Sequence, residues 1–419
     1  MTERIVVIGG GTSGTIVANR LLKMRNGKAS ITVLDRDDRH MYQPQLLSVA
    51  FGLAQPDDST RSRRAQLHRG IDFRECSVEC VNIDEQRVYI GAGKSIEYDV
   101  LVVATGARLV PEETEGLLGS GWMERMFTFY ERAGALALRD KLRTFKSGAV
   151  VLNVVDMPIK CSVAPLEFCF LADWFFQKRG VRQDIDIKYV VPMDGVFTKP
   201  LASQRFGNLL EEKGVSIVTG FSTGSVDGEA GKLFSWDERE VDFDLLVTIP
   251  LHAGSKFVNA SSGLGDESGF VMVDPQTLQS VSVANVFGIG DGTNLPTAKT
   301  GSAAHYQSDT LVTNVCRYLD KRPLEKSFDG HSTCFIETGF NKASLIDFNY
   351  DHEPYPGVYP FPAVGPMSLM KESRRNHLGK RSFEWMYWNL LLPGRGMPGV
   401  PHHLTLAGKQ VPAGAGKGK

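Results

Sequence analysis

The chain has 419 residues, 42% hydrophobic and 23% charged, with a formal net charge of -1. That length asks for two to three domains, and that balance excludes both a disordered chain and a protein that coats nucleic acid, so no nucleic-acid partner is expected. Six cysteines are too few and too scattered for a disulfide framework, and none forms a C-x-x-C pair, which leaves redox chemistry as the reason for any of them to matter.

The N-terminal residues pass straight into the apolar segment Ile5 to Ile8 without a basic and apolar leader, so the protein is expected to be made without a signal peptide and to stay on the cytoplasmic side, at the inner-membrane surface. No apolar run is long enough to span a bilayer, so any membrane attachment is peripheral. Ile5 to Ile8 reads as a buried strand that runs into Gly9-Gly10-Gly11-Thr12-Ser13-Gly14, and Ile16, Ala18, Leu21 and Leu22 follow at helical spacing. Strand, glycine turn and helix in that order is the setting in which G-x-G-x-x-G binds a dinucleotide. Gly9 permits the tight turn, Gly11 lets the backbone approach a pyrophosphate, Gly14 lets the helix pack on the strand, and Thr12 and Ser13 complete the binding loop. A second strand, Ile31 to Leu34, ends in Asp35, near the spacing at which a carboxylate meets the ribose hydroxyls.

Further along, Tyr98 to Ala107 is a buried strand ending in Ala104-Thr105-Gly106. From about Ser147 a second unit starts, with strands Ala149 to Val155 and Ile187 to Val191. The turn between them, Asp156 to Pro165, holds no glycine and two prolines, which would block the close backbone approach a pyrophosphate needs. This unit is therefore expected to have lost its nucleotide, and the protein not to draw electrons from NAD(P)H. The strand Asp244 to Pro250 is expected to return the chain to the first unit. Val286 to Asp291 is another buried strand, ending in Gly290-Asp291, and Lys299-Thr300-Gly301 opens a helix whose free amides, with Lys299, would stabilise negative charge on a reduced cofactor. The alternative for Lys299 is a solvated lysine ahead of a helix cap.

Together these motifs look like those of the flavoprotein disulfide reductase superfamily. The resemblance implies an α/β fold of two Rossmann-like dinucleotide-binding domains, glutathione-reductase-like, and FAD as cofactor. Asp291 would hold the ribityl and phosphate region, and the Thr105-Gly106 turn would close over the adenosine side. The run Pro158 to Phe168, around Cys161, resembles the segment of sulfide:quinone oxidoreductases that bears the first redox cysteine, and His331 to Gly339, around Cys334, resembles the segment bearing the other. Whether the two cysteines meet is left to the fold.

That family resemblance implies oxidation of sulfide to zero-valent sulfur or polysulfide, with electrons passing through FAD to a membrane quinone. Such chemistry wants a low thiolate pKa, which Lys160 and a helix beginning near Pro165 would supply to Cys161. Glu167 is a candidate proton acceptor; a surface helix glutamate is the plainer reading. No third cysteine lies between Val81 and Lys160, so FAD is expected to be held non-covalently. Cys76, Cys80, Cys169 and Cys316 read as small buried hydrophobes. The rivals are a type II NADH:quinone dehydrogenase, which needs a glycine-rich second loop, and a flavocytochrome c sulfide dehydrogenase flavoprotein.

The expected partition is residues 1–110 and 255–330 for a discontinuous FAD domain, 111–254 for the second domain, and 331–419 for a C-terminal region. Within that region Lys371 to Gly394 is basic in its first half and rich in tryptophan, tyrosine and leucine in its second, as a membrane-associating helix at an anionic interface requires. The alternative, a helix packed on the core, is weighed down by apolar side chains from Phe383 to Leu392 that nearly encircle it. Phe361, Pro362 and Gly365-Pro366-Met367 would line a quinone pocket, or simply pack a loop. The tail Ala413 to Lys419 is expected to be disordered, and an oligomer of identical chains stays open.

Overall fold

The computed structural model describes residues 2–55, 57–397 and 399–412; the tail expected to be disordered lies outside the described residues. Ile5, Val6, Val7 and Ile8 are apolar on both faces, as a strand covered on both sides must be, and they form the centre of a five-stranded parallel sheet. Its order is Val286–Gly288, Val100–Val103, Glu3–Ile8, Ala29–Asp35 and Ile71–Glu75. A second five-stranded parallel sheet runs Met126–Phe127, Leu245–Ile249, Gly148–Val154, Ile185–Val190 and Val215–Val218. The two sheets have separate hydrophobic cores. A three-stranded antiparallel meander accompanies each, Cys80 to Glu97 in one case and Thr223 to Asp242 in the other.

The chain thus leaves the first sheet, builds the second and comes back. The segment Asp244 to Pro250 does not make that return, because Leu245–Ile249 sits inside the second sheet between Met126–Phe127 and Gly148–Val154. The return follows it, where His252–Ala253 pairs antiparallel with Arg108–Leu109 on the outgoing connection. Sequence could show a buried apolar strand there but not which sheet it joins, since both sheets want such strands.

The C-terminal region opens with the hairpin Ser332–Gly339 and Lys342–Phe348, whose Cys334, Ile336, Ile346 and Phe348 share a core with the helix Ala164–Arg179 of the second unit. The helix Arg374–Met386 lies against the same hairpin and widens into a π turn, Tyr387–Leu391, closed by the bond from the Leu392 N–H to the Tyr387 carbonyl (3.0 Å). Here the expectation of an aromatic half in lipid needs correction. Tyr387, Trp388, Leu391 and Leu392 are buried against Ile16 and Tyr42, because positions four and five apart fall on one face of this wide turn. Leu378 (59% exposed) and Trp385 (61%) are the apolar side chains of the segment that face outward. Among the described residues, no helix is long and apolar enough to cross a membrane.

A last strap, residues 399–412, closes over the hairpin. Lys409 reaches Asp347 at 2.7 Å with both side chains buried, the Val358 N–H donates to the Gly408 carbonyl (3.0 Å), and the Gln410 N–H donates to that of Pro356 (2.7 Å). Burial alone would raise the Asp347 carboxyl, but hydrogen bonds from His331 and Lys409 hold it below the usual carboxylate range. Lys409→Met removes the cation from a buried pair, a loss of about 3 kcal/mol, so the strap is expected to loosen first. Limited digestion by subtilisin should then cut within residues 399–412 faster in the variant than in the parent, and equal rates would show that the pair does not hold the strap.

Candidate active site

The dinucleotide loop is built as its glycines suggest. Gly9 has φ +97°, and a Cβ there would lie 2.5 Å from the Ala104 carbonyl oxygen; one on Gly14 would lie 1.8 Å from that of Gly9. A Cβ on Gly11 would meet nothing within 4 Å, so the loop is open at that point only. Asp35 stands beneath it: its Oδ2 accepts the Gly10 N–H (2.7 Å) and pairs with Arg63, and its Oδ1 accepts the Arg36 N–H (2.8 Å). Arg63, which pattern reading missed, comes from the loop after a short hairpin and has no motif to announce it.

The other motifs converge on this loop. The Ser255 hydroxyl donates to Thr105 Oγ1 (2.7 Å), Gly106 has φ +69°, and a Cβ on Gly292 would meet the Gly106 carbonyl oxygen at 2.8 Å. Gly290, at φ +77°, stands so close to Ser13 that a Cβ would lie 2.4 Å from its Oγ. Burial pushes the Asp291 carboxyl up, against Lys299 and Lys160. Lys299 is neither solvated nor free to face a flavin: it is buried, and its ammonium donates to the carbonyls of Asp291 (3.0 Å) and Thr293 (2.7 Å), where it braces the Gly-Asp turn. Thr300 caps the helix Gly301–Leu319 by accepting the Ala303 N–H (3.2 Å), and a Cβ on Gly301 would again meet nothing within 4 Å. Two open glycines at helix starts, with close-packed glycines between strands and loop, fit an extended dinucleotide such as FAD.

The loop without glycine turns its polar groups inward. The Cys161 N–H donates to the Lys299 carbonyl (2.8 Å), and the Cys161 carbonyl accepts the Ala164 N–H (2.8 Å) and the Tyr130 hydroxyl (3.2 Å). Cys161 takes φ +49°, the left-handed region that side chains usually avoid, a strain typical of functional positions. Cys334 lies buried on the strand Ser332–Gly339, in the core against which Cys161 packs, and both are free thiols. The two cysteines are near enough for Cys161 to add to burial in raising the Cys334 thiol, so the fold places them near one another from separate elements. Cys169 and Cys316 are buried as expected, whereas Cys76 and Cys80 are partly exposed, since they sit at the ends of the short outer strands.

The expected low thiol pKa is not found. Burial pushes Cys161 up to about 12, with Glu167 adding to the rise, while Lys380 and the Ala164 amide pull the other way. Burial likewise raises Cys334 well above a free thiol. Lys160 contributes little because its ammonium points to Gln43 Oε1 (3.3 Å); the relevant cation is Lys380, from the C-terminal helix. Glu167 is not on the surface either. Its Oε1 accepts the Glu337 N–H (2.6 Å) and the Lys380 ammonium, with the carboxylate buried. Desolvation would lower Lys380, but Glu167 and Glu337 outweigh it and the amine is raised. Burial raises the Glu337 carboxyl, which holds His377 Nδ1 at 2.6 Å. The sequence signal for Lys380 and His377 was their i, i+3 spacing on one face, masked by the basic run around them.

Of the residues assigned to a quinone pocket, Phe361 (46% exposed) and Pro362 border a shallow apolar groove with Val400 and Pro401. Met367 instead packs inward, where a Cβ on Gly379 would meet its Sδ at 2.8 Å and Phe335 at 3.0 Å.

Residues 3–151 match the family described as pyridine nucleotide-disulphide oxidoreductase. The mitochondrial sulfide:quinone oxidoreductase of Mus musculus is 29% identical over 93% of this chain and 86% of its own length, and that of Dictyostelium discoideum is 29% identical over 94% and 86%. The solved sulfide:quinone oxidoreductase of the hyperthermophilic bacterium Aquifex aeolicus superposes with a TM-score of 0.77 at 21% identity, covering 93% of this chain and 92% of that one, which shows a common fold. Along nearly its whole length the chain is thus similar to the sulfide:quinone oxidoreductases and shares the fold of the solved one.

Proposed function

We propose that the protein oxidises sulfide to zero-valent sulfur and passes the electrons through FAD to a membrane quinone. The observation that supports this reading is that Cys161, on the glycine-free loop, lies on the same core as Cys334 and close enough to act on its thiol, with its backbone bonded to Lys299, just before the Thr300 cap of the Gly301 helix. When bound, FAD supplies the two-electron carrier between the thiol pair and the quinone; the chain holds it without a covalent bond, through the Gly9 to Gly14 loop, Asp35, the Thr105-Gly106 turn and the start of the Gly301 helix.

The protein's own groups perform the sulfur chemistry. Hydrosulfide attacks the oxidised Cys161–Cys334 bridge; its S–S bond breaks, a Cys–S–SH forms on one sulfur, and the other leaves as a thiolate. A buried thiolate is costly, which is why a buried cation is needed within reach, and Lys380 supplies it. Glu167 keeps that ammonium charged and in place, and its free lone pairs can take up the persulfide's proton when the Cys–S–SH ionises. The glycine-free loop shuts out a nicotinamide dinucleotide. Residues 331–419 contribute the second cysteine and the quinone and membrane side, where exposed Leu378 and Trp385 stand among Arg374, Arg375 and Arg381.

Anaerobic stopped-flow absorbance tests this reading. Sulfide should bleach the oxidised flavin band of the parent and NADH should not; bleaching by NADH would put a nicotinamide-dependent dehydrogenase in its place. Cys161→Ser and Cys334→Ser should each abolish sulfide bleaching while FAD stays bound, and full activity in either removes the mechanism.

Because burial raises the Cys161 thiol while Lys380 lowers it, thiolate-dependent bleaching should quicken as pH rises. Lys380→Met, which takes away the lowering charge, should slow bleaching by about tenfold at neutral pH and shift the rising limb to higher pH. A limb that stays where it was would show that Lys380 does not act on the thiol.

A further inference from the structure

A second buried polar cluster lies where the C-terminal segment crosses the glycine loop. The Tyr387 hydroxyl stands 2.7 Å from Thr12 Oγ1 and 2.6 Å from His40 Nε2. His40 is buried; burial first, then the Arg63 charge, push its imidazole down to about 3, so it is neutral at physiological pH. Burial raises the Tyr387 phenol, which keeps its proton. The Tyr387 hydroxyl thus links His40 Nε2 and Thr12 Oγ1 in one buried chain of two hydrogen bonds.

The segment around Tyr387 is fixed at further points, on the strand Thr60–Ser62 and on the helix Thr12–Arg25. Trp388 stands edge-on to Tyr387, with ring centres 5.0 Å apart, under the Arg61 guanidinium at 4.3 Å. Asn19 donates its amide to the Leu392 carbonyl (2.7 Å). By contrast, the first turn of the helix Thr12–Arg25 has no cap: its N-cap is Gly11, no side chain caps it, and its first turn holds no acid, although Asp35 and the Thr15 hydroxyl hold Gly10 beside it. An uncapped start leaves amides facing outward, as anion binding needs, but a glycine there is also the least restrained residue.

Resting on the reading that the loop binds FAD, we propose that the C-terminal turn Tyr387–Leu391 is a clamp on the cofactor site, with the Tyr387 hydroxyl holding Thr12 so that the loop amides are preorganised for the pyrophosphate. FAD retention then depends on a residue far along the chain, acting through Thr12. Tyr387 is a positioning residue, and the gain comes from restraint already present before binding.

The test uses the full chain, with FAD affinity measured by the fluorescence of free FAD as apoprotein is titrated. Tyr387→Phe, which keeps the ring and removes the hydroxyl, should weaken FAD binding by about tenfold, as should Thr12→Val. The double variant should be no weaker than either single one, because both remove the same bond. Asn389→Ala, exposed on the same turn, should bind FAD as the parent does. Affinity within twofold of the parent in both single variants, or additive losses in the double, would overturn the clamp. A parent that takes up no FAD at all would overturn the cofactor reading and the clamp with it, and is told apart from a clamp failure because every variant would then be equally empty.

Discussion

One backbone hydrogen bond ties the two halves of the site: the Cys161 N–H to the Lys299 carbonyl, at 2.8 Å. It joins the loop of the second unit to the residue just before the Gly301 helix of the first. In a working phosphate loop that amide would point at a ligand. Here it is spent inside the protein, and the same bond that closes the nucleotide site puts a cysteine where the other unit offers an open helix start. On the proposed function, loss of nucleotide binding and gain of a redox cysteine are a single geometric change. The left-handed backbone of Cys161 is the strain it carries, of the order of 1 to 3 kcal/mol in such positions.

Charge is handled by the same economy. Four ionisable groups, Glu167, Lys380, Glu337 and His377, meet in a part-buried chain beside the thiols. An isolated charge there would be expelled by desolvation, yet paired along a line each keeps the next in place. The chain starts on the helix that follows Cys161, passes the hairpin that carries Cys334 and ends on the C-terminal helix, so three distant segments must dock before the electrostatics are complete.

Local features were legible in the sequence and shared ones were not. The glycine loop, Asp35, the Gly290-Asp291 turn and the Thr300 cap each depend on a few consecutive residues, so their chemistry could be read directly. The cysteine segments were legible by resemblance, and the missing glycines by inspection. The burial of Lys299, Glu167 and Lys380 was not legible, because burial of a charged residue depends on partners from other elements, which spacing does not reveal. The basic run hid Lys380 and His377 among side chains that do face water. Periodicity also failed at Tyr387–Leu391, where the helix widens and a set of rings that looked as if it encircled the axis gathers on one face.

The paired connections, Arg108–Leu109 going out and His252–Ala253 coming back, carry a mechanical consequence. Two separate single-chain tethers would let one body swivel about the other through many torsions. Stitched side by side by ladder bonds, they form a short ribbon that bends across its width but resists twisting and stretching. Together with the Cys161–Lys299 bond, the ribbon holds the spacing between the Cys161 loop and the start of the Gly301 helix. The proposed electron transfer needs such a fixed spacing, and the ribbon supplies it from close by, since His252 packs edge-on against Tyr130, whose hydroxyl bonds the Cys161 carbonyl.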